Sequence, residues 1–382
     1  MKQSWVNDES LINEKYRKLD YKDQLLLKQK HIEDTYSKNG YSIKVNSIIP
    51  NPKPKNYRHK VIVSATNIKV GNRFKIRLGL YKEGSKDIIP GVVNLIHDEA
   101  INDLLVSIES SLQKFKLEAY TPKYRKGIIK HILVRKSYKE NTMMIAIVTQ
   151  GHILPNNKDL VKEIVKLNPS VKTIVQNIHK IDTPVVMLEN NKVLYGKGFI
   201  EDEIEGIRFR LSPNSFYQVN PLQMINLYNY ALQVADIKKS DFVMDCYSGI
   251  GTISLLAAKR AKEVIAIESN PAAVKDATIN KKENSISNIN FYHNDVSNFM
   301  YDYTKEIDVL IMDPARDGAD QRFINSVLKL KPKKIVYISC FVETQVRDIL
   351  RLNDLYKLVS VQPVDMFSYT SHVETVSLLE LK

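Results

Sequence analysis

The C-terminal third of the chain restricts the fold more than any other stretch. Short apolar runs at 242–245, 263–268, 289–292, 308–312 and 334–339 alternate there with helical stretches. Runs that are apolar throughout, rather than every second residue, belong to strands covered on both faces, and the intervening helices supply the crossovers of a parallel sheet. A helix after Cys340 leads to a strand at 355–361, and a turn leads to a last strand at 373–379. So short a link predicts an antiparallel hairpin closing the sheet.

Upstream the rhythm differs. Residues 10–38 read as helical, with Leu11, Ile12, Leu19, Leu25, Leu26, Leu27 and Ile32 set among charges, and Pro50-Asn51-Pro52-Lys53-Pro54 breaks the pattern. Strands at 42–49, 60–65, 74–81, 128–136, 143–149 and 204–211, with helices at 100–114 and 160–167, predict an α+β region. We therefore expect a basic helical arm over 1–41, a central α+β domain over 42–210 and an α/β domain over 211–382.

Charge narrows the partner. The chain has 56 Lys and Arg against 43 Asp and Glu, a formal net charge of +13. Such a surplus favours a polyanion, nucleic acid first and an anionic membrane second. Cys246 and Cys340, the two cysteines, cannot build a disulfide framework or a repeated-Cys metal site, so a reducing cytoplasm is expected. The first ten residues include Asp8 and Glu9 and lack the apolar core of a secretory signal, and no apolar run reaches the ~20 residues that span a bilayer.

Phe242 to Ser254 reads as strand, tight glycine turn and helix start, with Gly249 and Gly251 letting the backbone approach a ligand. The pattern is G-x-G-x-x-S, and Ser254 suits the third small position of a dinucleotide loop less well. Glu268 ends the next strand, at the ~20-residue spacing where a carboxylate bonds both ribose hydroxyls of an adenosine. With Asp313 at the end of the fourth strand, these residues favour S-adenosylmethionine over NAD.

Asp313-Pro314-Ala315-Arg316 and Cys340 both fall at the carboxyl edge of the sheet, where open α/β folds bind ligands. Cys246 reads as a small buried hydrophobe, whereas the position of Cys340 points to reactivity. Glu374 opens the last strand, where its carboxylate can face Cys340. A thiol, a cofactor loop and a base at one edge suffice for covalent activation of an electron-poor ring.

Ser215-Phe216-Tyr217-Gln218-Val219-Asn220-Pro221, the 245–252 loop, Asp313-Pro314-Ala315-Arg316, Ser339-Cys340 and His372-Val373-Glu374 together resemble the RNA uracil-5 methyltransferases, which make 5-methyluridine in ribosomal or transfer RNA. The resemblance is dense over 211–382 and thinner at 21–30 and 57–61. It implies a Rossmann-like, S-adenosylmethionine-dependent methyltransferase domain preceded by an α+β RNA-binding domain. It also implies cofactor contacts from Gln218, Tyr247, Gly249, Gly251, Glu268, Asp313 and, more weakly, Asp295, with Cys340 as nucleophile and Glu374 as proton acceptor. No metal is implied, because two cysteines cannot form the four-cysteine iron–sulfur site that many members carry. Ala315 stands where a second proline is usual, and Phe341 where Asn commonly follows the cysteine.

The resemblance also leads us to expect no N-terminal RNA-binding β-barrel; a basic stretch, with the basic N-terminal arm, is the candidate to compensate for it. Lys123, Arg125, Lys126, Lys130, Arg135, Lys136 and Lys139 occur between 123 and 139 without an acid, with Tyr124 and Tyr138 near the ends. Lys123, Arg125, Lys126, Lys130 and Arg135 are the expected RNA contacts, although a solvated hairpin would show the same pattern. The expected partner is RNA, 23S ribosomal RNA ahead of transfer RNA, met by a cytoplasmic monomer with no membrane role. A catalytically silent RNA-binding or ribosome-assembly factor on the same fold stays open at this stage.

Overall fold

The computed structural model describes residues 14–82, 85 and 87–382, with only the backbone of Glu14, so Leu11, Ile12 and the N-terminal ten residues lie outside the described part. Two compact units emerge. Among the described residues, one comprises 14–17, those of 55–203, and 210–214, and the other 18–54, 204–209 and 215–382.

The first unit is built on a seven-stranded mixed sheet. Its strands are β1 (Lys60–Val70), β2 (Arg73–Tyr81), β3 (Ile88–Pro90), β4 (Ile129–Lys136), β5 (Met143–Thr149), β6 (Val171–Ile178) and β7 (Asn191–Tyr195), in the order β3-β2-β1-β4-β5-β6-β7. Neighbours are antiparallel except β5 and β6. The helices Glu99–Lys114 and Asn157–Leu167 turn Ile101, Leu104, Leu105, Ile108, Leu160 and Ile164 into one core with Val61, Val63, Ile132, Val134, Ile145 and Ile147. Asp98 caps the first helix, accepting from Ala100 N at 3.0 Å. A hairpin of β8 (Ile200–Ile204) and β9 (Ile207–Leu211) has its residues divided between the two units.

The second unit carries the expected α/β sheet. Its strands are β10 (Phe242–Cys246), β11 (Glu263–Glu268), β12 (Ile289–His293), β13 (Val309–Met312), β14 (Lys334–Ser339), β15 (Tyr356–Val364) and β16 (Glu374–Leu381), in the order β12-β11-β10-β13-β14-β16-β15. The first five are parallel, and β16 runs antiparallel to both β14 and β15. The strand order reverses beside β10, so the crevice at the carboxyl ends of β10 and β13 is the natural ligand position.

The segment expected as an arm differs from its expectation. Ile32, Tyr36 and Val45 belong to the core of the second unit, packed with Val346, Ile349, Tyr337 and Val361. Tyr36 is held there by hydrogen bonds of its hydroxyl with Gln345 and Ser377, both at 2.9 Å. The stretch expected as a strand at 42–49 forms only an isolated parallel bridge, Ile49 to Val364. It runs along β15 through Asn46 N to Val361 O and Ile49 N to Pro363 O, each 2.9 Å, and so covers an otherwise open sheet edge.

Candidate functional site

Register brings the two candidate catalytic groups together. Ser339 on β14 pairs with Thr375 on β16, so Cys340, just past the end of β14, and Glu374, at the start of β16, follow as the next positions across the antiparallel pair. Parallel pairing of β10, β13 and β14 sets the ends of those strands at the same edge, which adds Asp313 directly after β13. Cys340 is half-buried and Glu374 only 3% exposed.

Such crowding shapes the acid–base chemistry. Burial pushes the Cys340 thiol up to about 11; the Glu374 and Asp313 carboxylates push the same way, and a hydrogen bond from its own backbone and then the Arg316 guanidinium oppose them. Burial also raises Glu374, to about 8, with the charge of Asp313 adding to it. Asp313 is itself raised by burial. A carboxyl held near neutrality in this way is matched to moving a proton at physiological pH.

The loop after β10 is tightened by Gly251 N donating to Ser248 O at 2.9 Å. Gly251 has φ 81°, and a Cβ there would fall 2.6 Å from the Phe291 ring. Gly249 has φ 55°, yet a Cβ there would meet nothing within 4 Å, so its backbone borders open space. Glu268 accepts from Gly249 N at 2.9 Å and from Asn270 N at 2.7 Å, which fixes its carboxylate beside that space. Tyr247 also adopts a positive φ, 66°, and its ring lies 5.9 Å from that of Phe323. Asp295 is exposed and caps the Val296–Asp302 helix, accepting from Asn298 N at 2.9 Å. Gln218 is buried and hydrogen-bonds Tyr228.

Tyr228, Asp245 and Arg316 are not among the site residues expected from the sequence. Tyr228 lies on the Pro221–Ala235 helix among core residues, and burial with the nearby Asp313, Asp245 and Glu374 holds its hydroxyl well above the usual range. Asp245 is buried and raised to about 7 by burial, against a hydrogen bond from Ser254. Ser254 therefore serves as the partner of Asp245, a role that a small packing residue could not fill. Arg316 stacks on Phe341, its Cζ 4.4 Å from the ring centroid. Cys246 is fully buried, its sulfur 3.7 Å from that of Met300.

The basic stretch splits. Lys123, Tyr124, Arg125 and Lys126 form an exposed turn, closed by Thr121 N to Lys126 O at 2.8 Å. Arg135 has to be removed from the expected RNA contacts, because it is only 2% exposed. Its strand, β4, is interior to the sheet, with β1 and β5 on its two edges. Lys130 is half-buried and bound within its unit, with Nζ 2.8 Å from Ile181 O and 3.4 Å from Asp182. Lys136 is paired with Asp98 at 2.9 Å. Among the described residues, no helix is long and apolar enough to cross a membrane.

Comparison with known proteins agrees with this architecture. An RNA methyltransferase of Oceanobacillus iheyensis is 37% identical, over 95% of this chain and 80% of its own length. One from Caldanaerobacter subterraneus is 38% identical over 95% of this chain and 80% of its own length. The crystal structure of the Pyrococcus abyssi tRNA (uracil-54, C5)-methyltransferase in complex with S-adenosyl-L-homocysteine superposes with a TM-score of 0.78, at 23% identity over 95% of this chain and 84% of that one. Residues 157–382 match the profile of the tRNA (uracil-5-)-methyltransferases, and on that match and these relatives the chain belongs to this family of RNA-methylating enzymes.

Proposed function

We propose that the chain methylates C5 of a uridine in 23S ribosomal RNA, with S-adenosylmethionine as donor, Cys340 as nucleophile and Glu374 as base. The observation that supports the reading is the β14–β16 register, in which Ser339 pairs with Thr375 and Cys340 and Glu374 are the next residues at the ligand edge.

The loop fits the donor. Gly249 leaves its flank open, and the Glu268 carboxylate has lone-pair sites for a ribose diol beyond the two N–H groups and the Ser269 hydroxyl it already accepts. Gln218, Tyr247, Gly249, Gly251, Glu268 and Asp313 would hold the donor, with Asp295 at the rim. When bound, it supplies an electrophilic methyl group. The residues of the chain do the rest. The Cys340 thiolate bonds C6 of a uracil turned out of its stack, and the C5–C6 π pair moves toward O4 as an enolate. That electron pair makes C5 nucleophilic enough to take the methyl carbon. Glu374 then removes the C5 proton, the C5–C6 double bond re-forms and the sulfur leaves with its electrons. A positioned carboxylate is worth about 10²–10⁴-fold in such a step.

The exposed turn Lys123–Lys126 supports RNA as the partner, with basic groups for phosphates and Tyr124, 64% exposed, for stacking. Ribosomal RNA processing in the cytoplasm by a monomer completes the proposal. Transfer RNA is the second reading, favoured by the description of the matched family. Mapping 5-methyluridine in ribosomal and transfer RNA, with and without the gene, decides between them: a lost 23S site supports the proposal, and a lost transfer-RNA site replaces the target. Cys340→Ala should abolish methylation, and Glu374→Gln should accumulate a denaturation-resistant protein–RNA adduct. Methylation surviving in the Ala variant would refute the covalent route, and absence of any methylation by the native chain would favour a silent RNA-binding factor.

A further inference from the structure

Cys340 is followed at once by the N-cap of the Val342–Leu352 helix, and that cap is Phe341, with no side-chain bond to the first turn. Ser, Thr, Asp or Asn at this position would accept from a first-turn N–H. The ring has a different neighbour, for the Arg316 guanidinium lies over it at 4.4 Å from Cζ to the centroid. The two backbones are tied as well. The Thr344 hydroxyl lies 3.1 Å from the Arg316 carbonyl and 2.9 Å from the Phe341 carbonyl. Ser339 Oγ accepts from Phe341 N at 3.1 Å.

The charged groups that act on the Cys340 thiol are Glu374 on β16 and Asp313 after β13, which raise it, and Arg316, three residues further on, which lowers it after the hydrogen bond from the cysteine's own backbone. Both carboxylates oppose ionisation of the sulfur, and Arg316 is the cation of the set. Its side chain is exposed, and a free arginine in water samples many rotamers. A planar, weakly hydrated guanidinium stacks well on an aromatic face, which an ammonium or an uncovered chain cannot reproduce.

Resting on the reading of Cys340 as nucleophile, we infer that Phe341 is a positioning residue, whose ring seats Arg316 so that the guanidinium stabilises the Cys340 thiolate at the expense of a helix cap. In the free enzyme the S–H bond breaks heterolytically, the electron pair stays on sulfur beside the guanidinium, and the proton passes to water. Neither Glu374 nor Asp313 can provide this, since each becomes negative as pH rises.

The test is the pH dependence of Cys340 alkylation by iodoacetamide in the full chain, with the Cys340 peptide quantified by mass spectrometry apart from buried Cys246. Each alkylation forms one S–C bond and releases iodide. Arg316→Gln and Phe341→Ala should each move the midpoint upward and slow alkylation at pH 8 by about tenfold, the change in thiolate fraction that one unit of midpoint produces. Phe341→Trp should behave as the native chain and Arg316→Lys should fall between. The double variant should be no slower than Arg316→Gln alone, because both changes remove one effect. Phe341→Asn discriminates most sharply: it restores a capping side chain and should raise Tm, yet it should slow alkylation. An unchanged midpoint in Phe341→Ala, or additive losses in the double variant, would overturn the inference. Methylation by Cys340→Ala would overturn the underlying reading by a separate assay, so the two failures are distinguishable.

Discussion

Glu374 illustrates how one side chain couples function to stability. Its ordinary pKa of 4.5 applies to the unfolded chain, and burial with Asp313 raises the folded value to about 8. Between these values the folded chain keeps a proton that the unfolded chain has lost. The stability from this group is therefore full below 4.5 and disappears as pH rises through about 8. Glu374→Gln keeps the shape and removes the charge. It should raise Tm clearly at pH 8.5, corresponding to a few kcal/mol in order of magnitude, and change little near pH 4.5. Equal shifts at both pH values in thermal denaturation would show that the carboxyl is not held neutral. The base form is the one that takes a proton, so native turnover should climb with pH through the same window. The site was legible at this scale where a residue type and a strand end coincide, as at Cys340 and Glu374. It was not legible for Asp245 and Ser254, whose mutual bond depends on how a strand end meets a helix start.

The Tyr21–Lys38 helix shows what an element's local pattern conceals. Lys28 is fully buried and bonds Asp365 at 2.6 Å and Phe367 O at 3.0 Å. Tyr21 donates to Asp365 at 2.7 Å, and Gln24 Oε1 accepts from Tyr369 N at 2.9 Å. The helix thus pins the segment that leads into Glu374. In sequence Lys28 looks like one charge of a solvated face, because its partner is 337 residues away. Lys28→Met would leave the Asp365 charge buried without its ammonium, a loss of about 3–5 kcal/mol, and Lys28→Met with Asp365→Leu should recover much of it. Denaturant unfolding of both checks this, and no recovery in the pair would argue against direct coupling. The basic stretch carries the same lesson in reverse. Its charge run was legible, but the burial of Arg135 depends on what packs over its side of the sheet, which local composition does not encode. Replacing Lys123, Arg125 and Lys126 by Gln should weaken RNA binding and flatten its salt slope by about 2–3, at ~0.9 per lost phosphate contact. Filter binding at several salt concentrations measures it, and an unchanged slope would place the RNA elsewhere.

For the molecule as a whole, the sheet of the second unit was legible because its strands and helices alternate locally, whereas the make-up of that unit was not. A linear boundary near 210 captures every strand of the sheet, yet residues 18–54 belong to the same unit. Their contribution is not peripheral. Ile32 and Tyr36, at 0% and 1% exposure, fill its core, and 46–49 hydrogen-bond along the edge strand β15. Pairing between segments so distant in sequence leaves no periodic trace in either one. Truncating a buried isoleucine or tyrosine typically removes 2–5 kcal/mol, so losing this segment removes on the order of 5–10 kcal/mol, comparable with a domain's entire stability. A fragment of residues 211–382 should therefore lack cooperative unfolding and bind a hydrophobic dye, despite holding every candidate catalytic and cofactor residue. Adding a peptide of residues 18–54 should restore a sharp thermal transition and suppress dye binding. A fragment that unfolds cooperatively by itself, near the Tm of the full chain, would show instead that the N-terminal segment only decorates a self-sufficient fold.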